Sequence, residues 1–307
     1  MLGGVANDHV GEFEAQRPRL FAVAYRMLGS ASEAEDLVQE AFLRWDAADR
    51  DDIRVPAAWL TKVITNLCLN RLDSARARRE SYVGMWLPEP VLTTDSALGP
   101  LDRAEQRESV SLALLHLLER LTPPERAVFV LREAFAYPHR EIAEILDITE
   151  SHSQQLFHRA SQHLQERPRF ETSSDVQYRV VERFLDAARG GDIAALEQML
   201  VADVVSYGDG GGKAAAARRP VSGAKRVARF LGGWLRRPLP GLEVRVTDIN
   251  GQPGLLAVLD GQWLIAAMSL DFDGEQIRSV RAVANPDKLA FLGAQVSLTP
   301  KSWDGVL

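Results

Sequence analysis

Two stretches of the chain combine amide and basic side chains in a way that suits contact with nucleic acid. The first lies in a run of helical spacing that begins at Pro56. Basic side chains beside amides and aromatic rings can follow a phosphate backbone and hold unstacked bases. The alternative is a solvated helix end, where the helix dipole favours positive charge. The residues concerned are Asn66, Asn70, Arg71, Arg76, Arg78 and Arg79.

The second stretch follows the short turn Asp-Ile-Thr at residues 147–149. Apolar residues at helical spacing on both sides predict helices over residues 137–146 and 150–164, joined as a helix-turn-helix. The first turns of the second helix would then face base edges in the major groove. There Gln155 can pair with adenine through two hydrogen bonds, and Arg159 can hold phosphate or guanine. The candidate contacts are Glu150, Ser151, His152, Gln154, Gln155, His158 and Arg159.

A third stretch, DGGGK at residues 209–213, contains three consecutive glycines. Glycine runs suit tight or left-handed turns, and they also cradle phosphate groups. The strand–GxxxxGK[ST]–helix signature of a nucleotide-binding loop is absent, so a turn is predicted rather than a nucleotide site.

The composition is that of a globular protein with two or three domains. The chain has 307 residues, of which 46% are hydrophobic and 25% charged. No apolar run reaches membrane-spanning length and the N-terminus lacks the basic-then-apolar layout of a signal peptide, which predicts a cytoplasmic protein without a membrane partner. The single cysteine, Cys68, excludes an internal disulfide and a cysteine-cluster metal site. It lies in an apolar run and is predicted to be a buried core residue; no metal or cofactor is expected.

The net charge of −6 is unusual for a protein that binds DNA alone. A net acidic chain can still use a local basic patch, particularly when a larger partner supplies the nonspecific affinity.

The elements before these stretches are predicted to be helices. Residues 13–28 form the first, and Ser32 with Glu35 makes a capping pattern that begins the second. The second helix has an apolar stripe of Leu37, Val38, Ala41, Phe42 and Trp45. Its other side carries Asp36, Gln39, Glu40 and Arg44, and the charged residues 46–54 form a loop before the third helix.

The phrase DLVQEAF in the second helix resembles the segment by which sigma factors of the sigma-70 family, extracytoplasmic-function type, bind core RNA polymerase. The resemblance implies that Asp36, Leu37, Val38, Gln39 and Glu40 contact the polymerase. WLTKVITNLCLNRLDSARARRE is similar to the sigma helix that opens and reads the −10 promoter element. LTPPERAVFVLREAF resembles sigma region four, which reads the −35 element through the helix-turn-helix. Promoter DNA is therefore the second implied partner.

This chain departs from that family where arginines are usual. It has Gln154, Ser161 and Gln162 instead, which implies lower phosphate affinity and an unassigned promoter preference.

Residues 81–106 contain several glycines and prolines and are interpreted as a linker. Within it, YVGMWLPEP is too apolar for a free spacer, so Trp86 and Leu87 are expected to dock on a folded neighbour or on polymerase. A helix over residues 108–121 follows, and Thr122 with Glu125 caps the next helix, which runs to about residue 135.

The last part of the chain is predicted to be an α+β domain. After the connection at residues 167–174, helical spacing over 176–188, 193–200 and 227–235 mixes with strand patterns over 204–207, 242–249, 255–259, 262–270 and 277–283. Helices followed by an antiparallel sheet suggest a curved sheet wrapped around the helices.

This part resembles SnoaL-like domains, the cone-shaped fold of polyketide cyclases and ketosteroid isomerases. Those enzymes use a pocket carboxylate as general acid or base, often beside a histidine or tyrosine. The candidates are Asp203, Tyr207, Asp209 and Asp271, but no histidine occurs beyond His163.

Three motifs together resemble a sigma subgroup with a fused SnoaL-like domain that controls sigma activity. The motifs are WLPEP (Trp86, Leu87, Pro88, Glu89, Pro90), DGGGK (Asp209, Gly210, Gly211, Gly212, Lys213) and NPDKL (Asn285, Pro286, Asp287, Lys288, Leu289).

The fold class expected is multidomain: two all-α domains, a sigma region 2 bundle and a region 4 helix-turn-helix, followed by the α+β domain. The expected boundaries are 10–80, 107–166 and 176–292, with linkers at 81–106 and 167–175 and a tail at 293–307.

The resulting hypothesis is a non-enzymatic sigma factor controlled by its last domain. A helix-turn-helix regulator accounts for residues 137–164 but not for DLVQEAF. A small-molecule cyclase or isomerase accounts only for the last part and lacks the histidine. A small-molecule ligand that binds the pocket and tunes the sigma domains is compatible with the main hypothesis.

Overall fold

The computed structural model describes residues 3–49, 53–93, 109–164, 173–235 and 239–303. They belong to two compact units. The N-terminal unit comprises Met1–Glu80, Asp95–Ser109 and Leu117–Arg167; the C-terminal unit comprises Ser81–Thr94, Val110–His116 and Pro168–Leu307.

The N-terminal unit begins with three helices: α1 (Gly3–Leu28), α2 (Ala31–Ala47) and α3 (Pro56–Glu80). Gly29 ends α1 with a φ of 66°, and Ser30 then caps α2 by accepting a hydrogen bond from the Glu33 amide at 3.1 Å. The prediction of Ser32 as the cap is therefore wrong by two residues. Glu35 does not reach back to the cap, because it binds Arg17 on α1.

The predicted apolar faces of these helices form the core of the unit. The apolar residues that recur at helical spacing along α1 are all buried: Phe13, Leu20, Val23, Ala24, Met27 and Leu28. Cys68 is also fully buried, as predicted, and burial raises the pKa of its thiol, so it is not a reactive group.

Four further helices follow in the sequence: α4 (Leu112–Leu118), of which residues 112–116 belong to the C-terminal unit, and α5 (Pro123–Glu133), α6 (His139–Leu146) and α7 (Glu150–His163), which belong to the N-terminal unit. α4 is shorter than the predicted helix over residues 108–121, because Ser111 caps it by accepting from the Leu114 amide at 3.2 Å. Residues 94–108, which contain half of the predicted linker, lie outside the described residues.

The C-terminal unit is an α+β domain. Its helices are α8 (Ser174–Gly190), α9 (Ile193–Gln198), α10 (Ala224–Leu235) and α11 (Ala290–Gln295). Its strands are β1 (Leu200–Asp209), β2 (Val221–Ser222), β3 (Leu242–Ile249), β4 (Gln252–Leu259), β5 (Trp263–Asp273), β6 (Gln276–Val283) and β7 (Thr299–Pro300).

The strands form one sheet in the order β2-β1-β6-β5-β4-β3, with β7 beside β5. The expected all-antiparallel sheet is wrong in two places, since β1 runs parallel to β6 and β7 runs parallel to β5. The chain leaves β1 through α10 and the β3–β4–β5 meander before it returns, and this long crossover permits a parallel pair.

Different elements pack on the two faces of the sheet. On one face, α8, α9 and α10 pack on apolar residues such as Leu255, Met268 and Leu270. On the other face, Leu87 and Leu92 pack with α11 over Leu256 and Ala267. None of the described helices combines the length and apolar character needed to cross a membrane.

Candidate functional site

The outer side of α2 offers acidic and amide side chains at its surface. Asp36 and Gln39 are exposed and Glu40 is half-buried, with Glu40 Oε1 bound to Arg44 Nη2 at 2.7 Å. Leu37 and Val38, predicted as part of the same contact, are only 2% and 1% exposed. In this structure these two side chains are core residues that hold the helix in place, and they present nothing to a partner.

The candidate residues on α3 have different environments. Asn70 is exposed and Asn66 is half-buried. Arg71 Nη1 lies 3.7 Å from Glu33 Oε1 on α2. The side chains of Arg76 and Arg78 lie outside the described part of the chain.

Arg79, the last of these candidates, is held by an ion-pair clasp that sequence reasoning missed. Its guanidinium binds the Glu119 carboxylate and donates to the Leu28 carbonyl at 2.6 Å. Glu119 also accepts from Arg126 Nη1 at 2.5 Å. Arg126 is 2% exposed, and burial lowers its pKa to about 9. The clasp therefore joins α3 to the start of α5. It engages the guanidinium of Arg79, which the sequence analysis predicted to contact DNA.

Other contacts within the N-terminal unit join the same parts. The Tyr137 hydroxyl lies 2.7 Å from Arg19 Nη2 on α1 and 3.1 Å from Thr61 Oγ1 on α3. Lys62 on α3 binds Asp147, in the turn of the helix-turn-helix, at 2.7 Å. The three-helix part and the helix-turn-helix part are thus tied to each other in this structure.

We predict that Glu119→Gln destabilises the N-terminal unit by about 2–4 kcal/mol, because it leaves the buried Arg126 charge without its carboxylate. Thermal unfolding measures the change. Glu141→Gln on the exposed side of α6 serves as the control and should stay within about 0.5 kcal/mol of wild type. Equal stability of the two variants would contradict the clasp.

The helix-turn-helix has the geometry expected from its sequence. Asp147 ends α6 with a φ of 53°, and Thr149 caps α7 by accepting from the His152 amide at 3.2 Å. Ile142, Ile145 and Leu156 form the shared core. All seven predicted base or phosphate contacts on α7 are exposed: Glu150, Ser151, His152, Gln154, Gln155, His158 and Arg159.

The cap of α5 also orients α7. Glu125 accepts from the Thr122 amide at 3.0 Å, which is one of the two bonds of the predicted capping pattern, and its carboxylate also accepts from the Thr122 hydroxyl at 2.8 Å. Burial opposes ionisation of Glu125, but these bonds and the nearby His163 and Arg159 lower its pKa. Arg159 Nε lies 3.7 Å from Glu125 Oε1, so its guanidinium is positioned while it remains exposed.

In the C-terminal unit, the three sequence motifs meet at the Asp209 carboxylate. Asp209 is fully buried, and its Oδ1 accepts from the Tyr82 hydroxyl at 2.6 Å. Its Oδ2 accepts from the Leu87 amide at 2.8 Å and from Lys288 Nζ at 2.6 Å. We call Tyr82, Leu87, Asp209, Asn285 and Lys288 the Asp209 network. Asn285 joins it by donating to the Tyr82 hydroxyl at 2.8 Å.

Lys288 provides the positive charge of this network. Its Nζ also donates to the Leu87 carbonyl at 2.5 Å and lies over the rings of Tyr82 and Trp86, 4.6 and 4.1 Å from their centroids. Burial, followed by the hydrogen bond to Asp209, raises the pKa of Tyr82. Trp86 and Leu87 therefore dock on a folded neighbour, the first of the two alternatives predicted for them.

The DGGGK glycines are required by close packing. A Cβ on Gly211, whose φ is 58°, would lie 2.2 Å from Asn285 Nδ2, and a Cβ on Gly210 would lie 2.1 Å from the Ala214 carbonyl oxygen. The loop is thus a close-packed turn. Lys213, at its end, forms an exposed ion pair of 2.5 Å with Asp287.

Residues 82–93, which we call the strap, extend this attachment along the sheet. Asn250, at the β3–β4 turn, accepts from the Val91 amide at 3.0 Å and donates to the Val110 carbonyl at 2.7 Å. Gln295 accepts from the Leu92 amide at 2.9 Å. Asn250 and Gln295 were not predicted, because their partners are more than 100 residues away along the chain.

The carboxylates considered for acid–base catalysis do not converge. Asp203 is exposed, and Asp209 is taken up by its network. Asp271 binds Arg281 and Ser279, and the Arg281 guanidinium lies 5.2 Å from the centroid of the Tyr207 ring. Both buried carboxylates therefore have cationic partners, which disfavours a role as general acid or base.

Comparison with known proteins identifies the family. Models of sigma-70 region 2 and sigma-70 region 4 match residues 13–78 and 111–164. The extracytoplasmic-function (ECF) RNA polymerase sigma factor SigJ of Mycobacterium tuberculosis is 39% identical over 289 residues, covering 91% of this chain and 92% of the relative. The chain belongs to the ECF sigma factors of RNA polymerase. This confirms the resemblance drawn from the sequence motifs.

Two further similarities support this ECF sigma factor assignment. The probable ECF sigma factor SigI of M. tuberculosis is 34% identical over 288 residues, covering 92% of this chain and 96% of the relative. The crystal structure of M. tuberculosis SigJ matches with a TM-score of 0.74 and 36% identity, covering 92% of this chain and 98% of that chain. The shared fold therefore includes the curved-sheet domain as well as the sigma helices.

In this ECF sigma factor, the matched regions and the Asp209 network occupy separate parts of the sequence. Region 2 corresponds to α1–α3 and region 4 to α4–α7. The three motifs that meet at Asp209 lie outside both matched regions. Family membership places the chain among transcription factors.

Proposed function

We propose that this sigma factor binds core polymerase through the exposed side of α2 and promoter DNA through α3 and α7, and that its C-terminal unit controls these activities through the strap. The main support for this proposed control is the Asp209 network, in which one buried carboxylate and one buried lysine fix residues 82–87 on the sheet. This segment directly follows α3, so its attachment restricts the chain that leaves the −10 helix.

The polymerase contact rests on Asp36, Gln39 and Glu40, which share the outer side of α2. The −10 contact rests on Asn66, Asn70 and Arg71, with Arg79 available once its clasp to Glu119 opens. The two DNA surfaces act on separate promoter elements, and the polymerase supplies the nonspecific affinity that a chain of net charge −6 lacks.

Run-off transcription with core polymerase tests the proposal as a whole. We compare the full-length protein, the variant Asp209→Asn and a chain ending at Arg169. A sigma factor controlled by its C-terminal unit gives template-specific transcripts whose yield changes, in the same direction, on truncation and on loss of the Asp209 charge. Absence of specific transcripts from every form would refute the sigma assignment of these surfaces, and equal yields from every form would refute control.

Replacement of Gln155 and Arg159 by alanine should weaken −35 recognition by about 2–4 kcal/mol, since each contact to a base edge contributes about 1–3 kcal/mol. Core binding should be unchanged, because both side chains lie on the exposed side of α7. Band-shift titration of the holoenzyme on promoters with intact and scrambled −35 elements measures the loss. Parallel loss of core binding would indicate misfolding rather than lost recognition.

A small-molecule ligand is a second candidate partner, favoured by a cavity of about 130 Å³ beside the glycine loop. The cavity is lined by Gly210–Gly212, Lys213, Arg218 and Val83. Since Gly211 packs against Tyr82 and Asn285, an occupant would bear directly on the Asp209 network. Thermal-shift screening of the full-length protein tests this, because a bound ligand raises the unfolding temperature; a screen without a hit counts against it.

A further inference from the structure

The C-terminal unit contains a stretch whose charge is opposite to that of the whole chain. Between Gly210 and Gly241 the sequence has no Asp or Glu, although the chain as a whole has 42 acidic and 36 basic residues. The same stretch contains the basic residues Lys213, Arg218, Arg219, Lys225, Arg226, Arg229, Arg236 and Arg237. The excess of positive charge is therefore concentrated rather than dispersed.

Five of these side chains form an exposed set, which we call the basic surface: Arg218, Arg219, Lys225, Arg226 and Arg229. Among the described residues, none of the five has a carboxylate within 4.0 Å. Elsewhere in this unit Arg278 is paired with Asp273 at 3.2 Å and Arg183 with Glu275 at 3.9 Å. The basic surface is thus a group of five exposed cations for which the described residues supply no carboxylate partner.

The fold holds this surface in a fixed arrangement. Arg218 and Arg219 precede β2, which pairs with β1 at the edge of the sheet. Gly223, with a φ of 91°, turns the chain into α10, and its carbonyl accepts from the Arg226 amide at 3.0 Å. On α10 the other side is anchored in the core by Val227, Ala228 and Leu231. Lys225, Arg226 and Arg229 are therefore presented by a helix whose backbone is anchored in the core.

We propose that the basic surface binds the phosphate backbone of duplex DNA. Exposed lysine and arginine side chains are complementary in charge to phosphates, and they give affinity without sequence preference. An anionic membrane is the less favoured partner, because Val227, Ala228 and Leu231 of α10 are buried in the protein core and Phe230 is the large apolar side chain that the described part of this helix exposes. On α7, positions 154, 161 and 162 carry glutamine or serine, and the one arginine is Arg159. The basic surface would supply phosphate contacts that α7 lacks.

The inference rests on the proposed function only for the presence of promoter DNA near the protein. It adds a contact that is independent of the −10 and −35 surfaces: the C-terminal unit would engage DNA as well as control the sigma regions.

The test measures binding of the full-length protein to a 30-base-pair duplex without promoter elements, by fluorescence anisotropy across a series of KCl concentrations. The variant Lys225→Gln/Arg226→Gln/Arg229→Gln removes three exposed cations from α10. Since each phosphate contact contributes about 0.9 to the slope of log K against log salt, the slope should fall by about 2–3 and affinity by roughly tenfold or more. The unfolding temperature should be unchanged, because all three side chains are exposed.

Two matched variants make the result specific. Arg179→Gln/Arg183→Gln/Arg189→Gln removes three exposed cations from α8 in the same unit and should leave the slope nearly unchanged. Arg226→Lys/Arg229→Lys keeps the charge and should keep the slope. An equal effect of the α8 and α10 variants, or no effect of either, would overturn the proposal.

Sedimentation with vesicles of anionic phospholipid distinguishes a membrane partner from duplex DNA. Loss of vesicle binding in the α10 variant without loss of DNA binding would also overturn the proposal in favour of a lipid surface. Because the anisotropy measurement contains no polymerase, its failure leaves the sigma function intact, and failure of run-off transcription leaves the duplex measurement valid.

Discussion

Reversing the charge at Asp36 and Glu40 on α2 is expected to abolish binding of this sigma factor to core polymerase. Both residues lie on the outer side of the helix, and each Asp36→Lys or Glu40→Lys change replaces a negative charge by a positive one. Like charges brought together at an interface cost several kcal/mol, which corresponds to a loss of at least about 100-fold in affinity.

The fold should survive this double substitution. The core of α2 consists of Ala34, Leu37, Val38, Ala41 and Trp45, none of which is changed. The ion pair lost is the exposed one between Glu40 and Arg44, whose contribution is about 0.3–0.5 kcal/mol. Circular dichroism and thermal unfolding of the variant should therefore match wild type.

Co-migration with core polymerase on size exclusion, followed by a titration of affinity, gives the readout. Glu12→Lys/Glu14→Lys on α1 is the matched control, since it reverses two exposed acidic residues of the same unit outside α2. Undiminished binding of the α2 variant would remove α2 as the contact. Equal loss in both variants would attribute the effect to net charge instead.

The sequence predicts the positions of the helices in this protein well, but it predicts the residues at which they begin and end less well. Apolar spacing alone is enough to assign the inward sides of α1 and α7, because burial of one face determines a helix. The start of α2 was missed because Ser30 and Ser32 both fit a cap, and the choice is made by Gly29, whose φ of 66° ends α1 and leaves Ser30 in extended backbone.

Contacts between distant segments could not be predicted in the same way. The three donors to Asp209 come from Tyr82, Leu87 and Lys288, separated from it by 127, 122 and 79 residues. No local pattern encodes such a pairing; only the recurrence of the three motifs together indicated a shared site. The parallel pairing of β1 with β6 and the clasp of Arg79 with Glu119 depend on tertiary structure for the same reason.

For the basic surface, the sequence predicts the excess of positive charge but not the ion pairs. Its charge asymmetry is visible in the sequence, but the sequence does not reveal which of the eight cations are free. Lys213 belongs to the same run and forms an ion pair with Asp287, whereas Arg218 and Arg226 are exposed without such a partner among the described residues. Only the structure separates cations available to a partner from cations used internally.

Removing the charge of Asp209 is expected to have the largest effect on stability. In Asp209→Asn the buried Lys288 ammonium, 8% exposed, loses the carboxylate that lies 2.6 Å from its Nζ. Breaking a buried ion pair on one side costs about 3–5 kcal/mol. For a unit of this size the unfolding temperature of the C-terminal unit should fall by roughly 6–20 °C.

A double-mutant cycle isolates the pair from its surroundings. Lys288→Met removes the other charge, and Asp209→Asn/Lys288→Met removes both, so the double variant should lose less stability than the sum of the single variants, with a coupling of about 1–3 kcal/mol. The exposed pair Lys213–Asp287 in the same two motifs is the control, and Asp287→Asn should change stability by less than about 1 kcal/mol. A coupling near zero, or an equal effect at Asp287, would show that the network does not depend on its charges.

The same variant connects stability to control. The Asp209 carboxylate holds the Leu87 amide, and Lys288 holds the Leu87 carbonyl, so loss of the charge loosens residues 82–87 from the sheet while the sigma helices keep their own core. Protease cleavage in this segment should therefore increase in Asp209→Asn before the N-terminal unit unfolds. If cleavage stays at the wild-type rate although stability has fallen, the strap is retained by its apolar contacts alone and the buried ion pair is not the element through which the C-terminal unit acts.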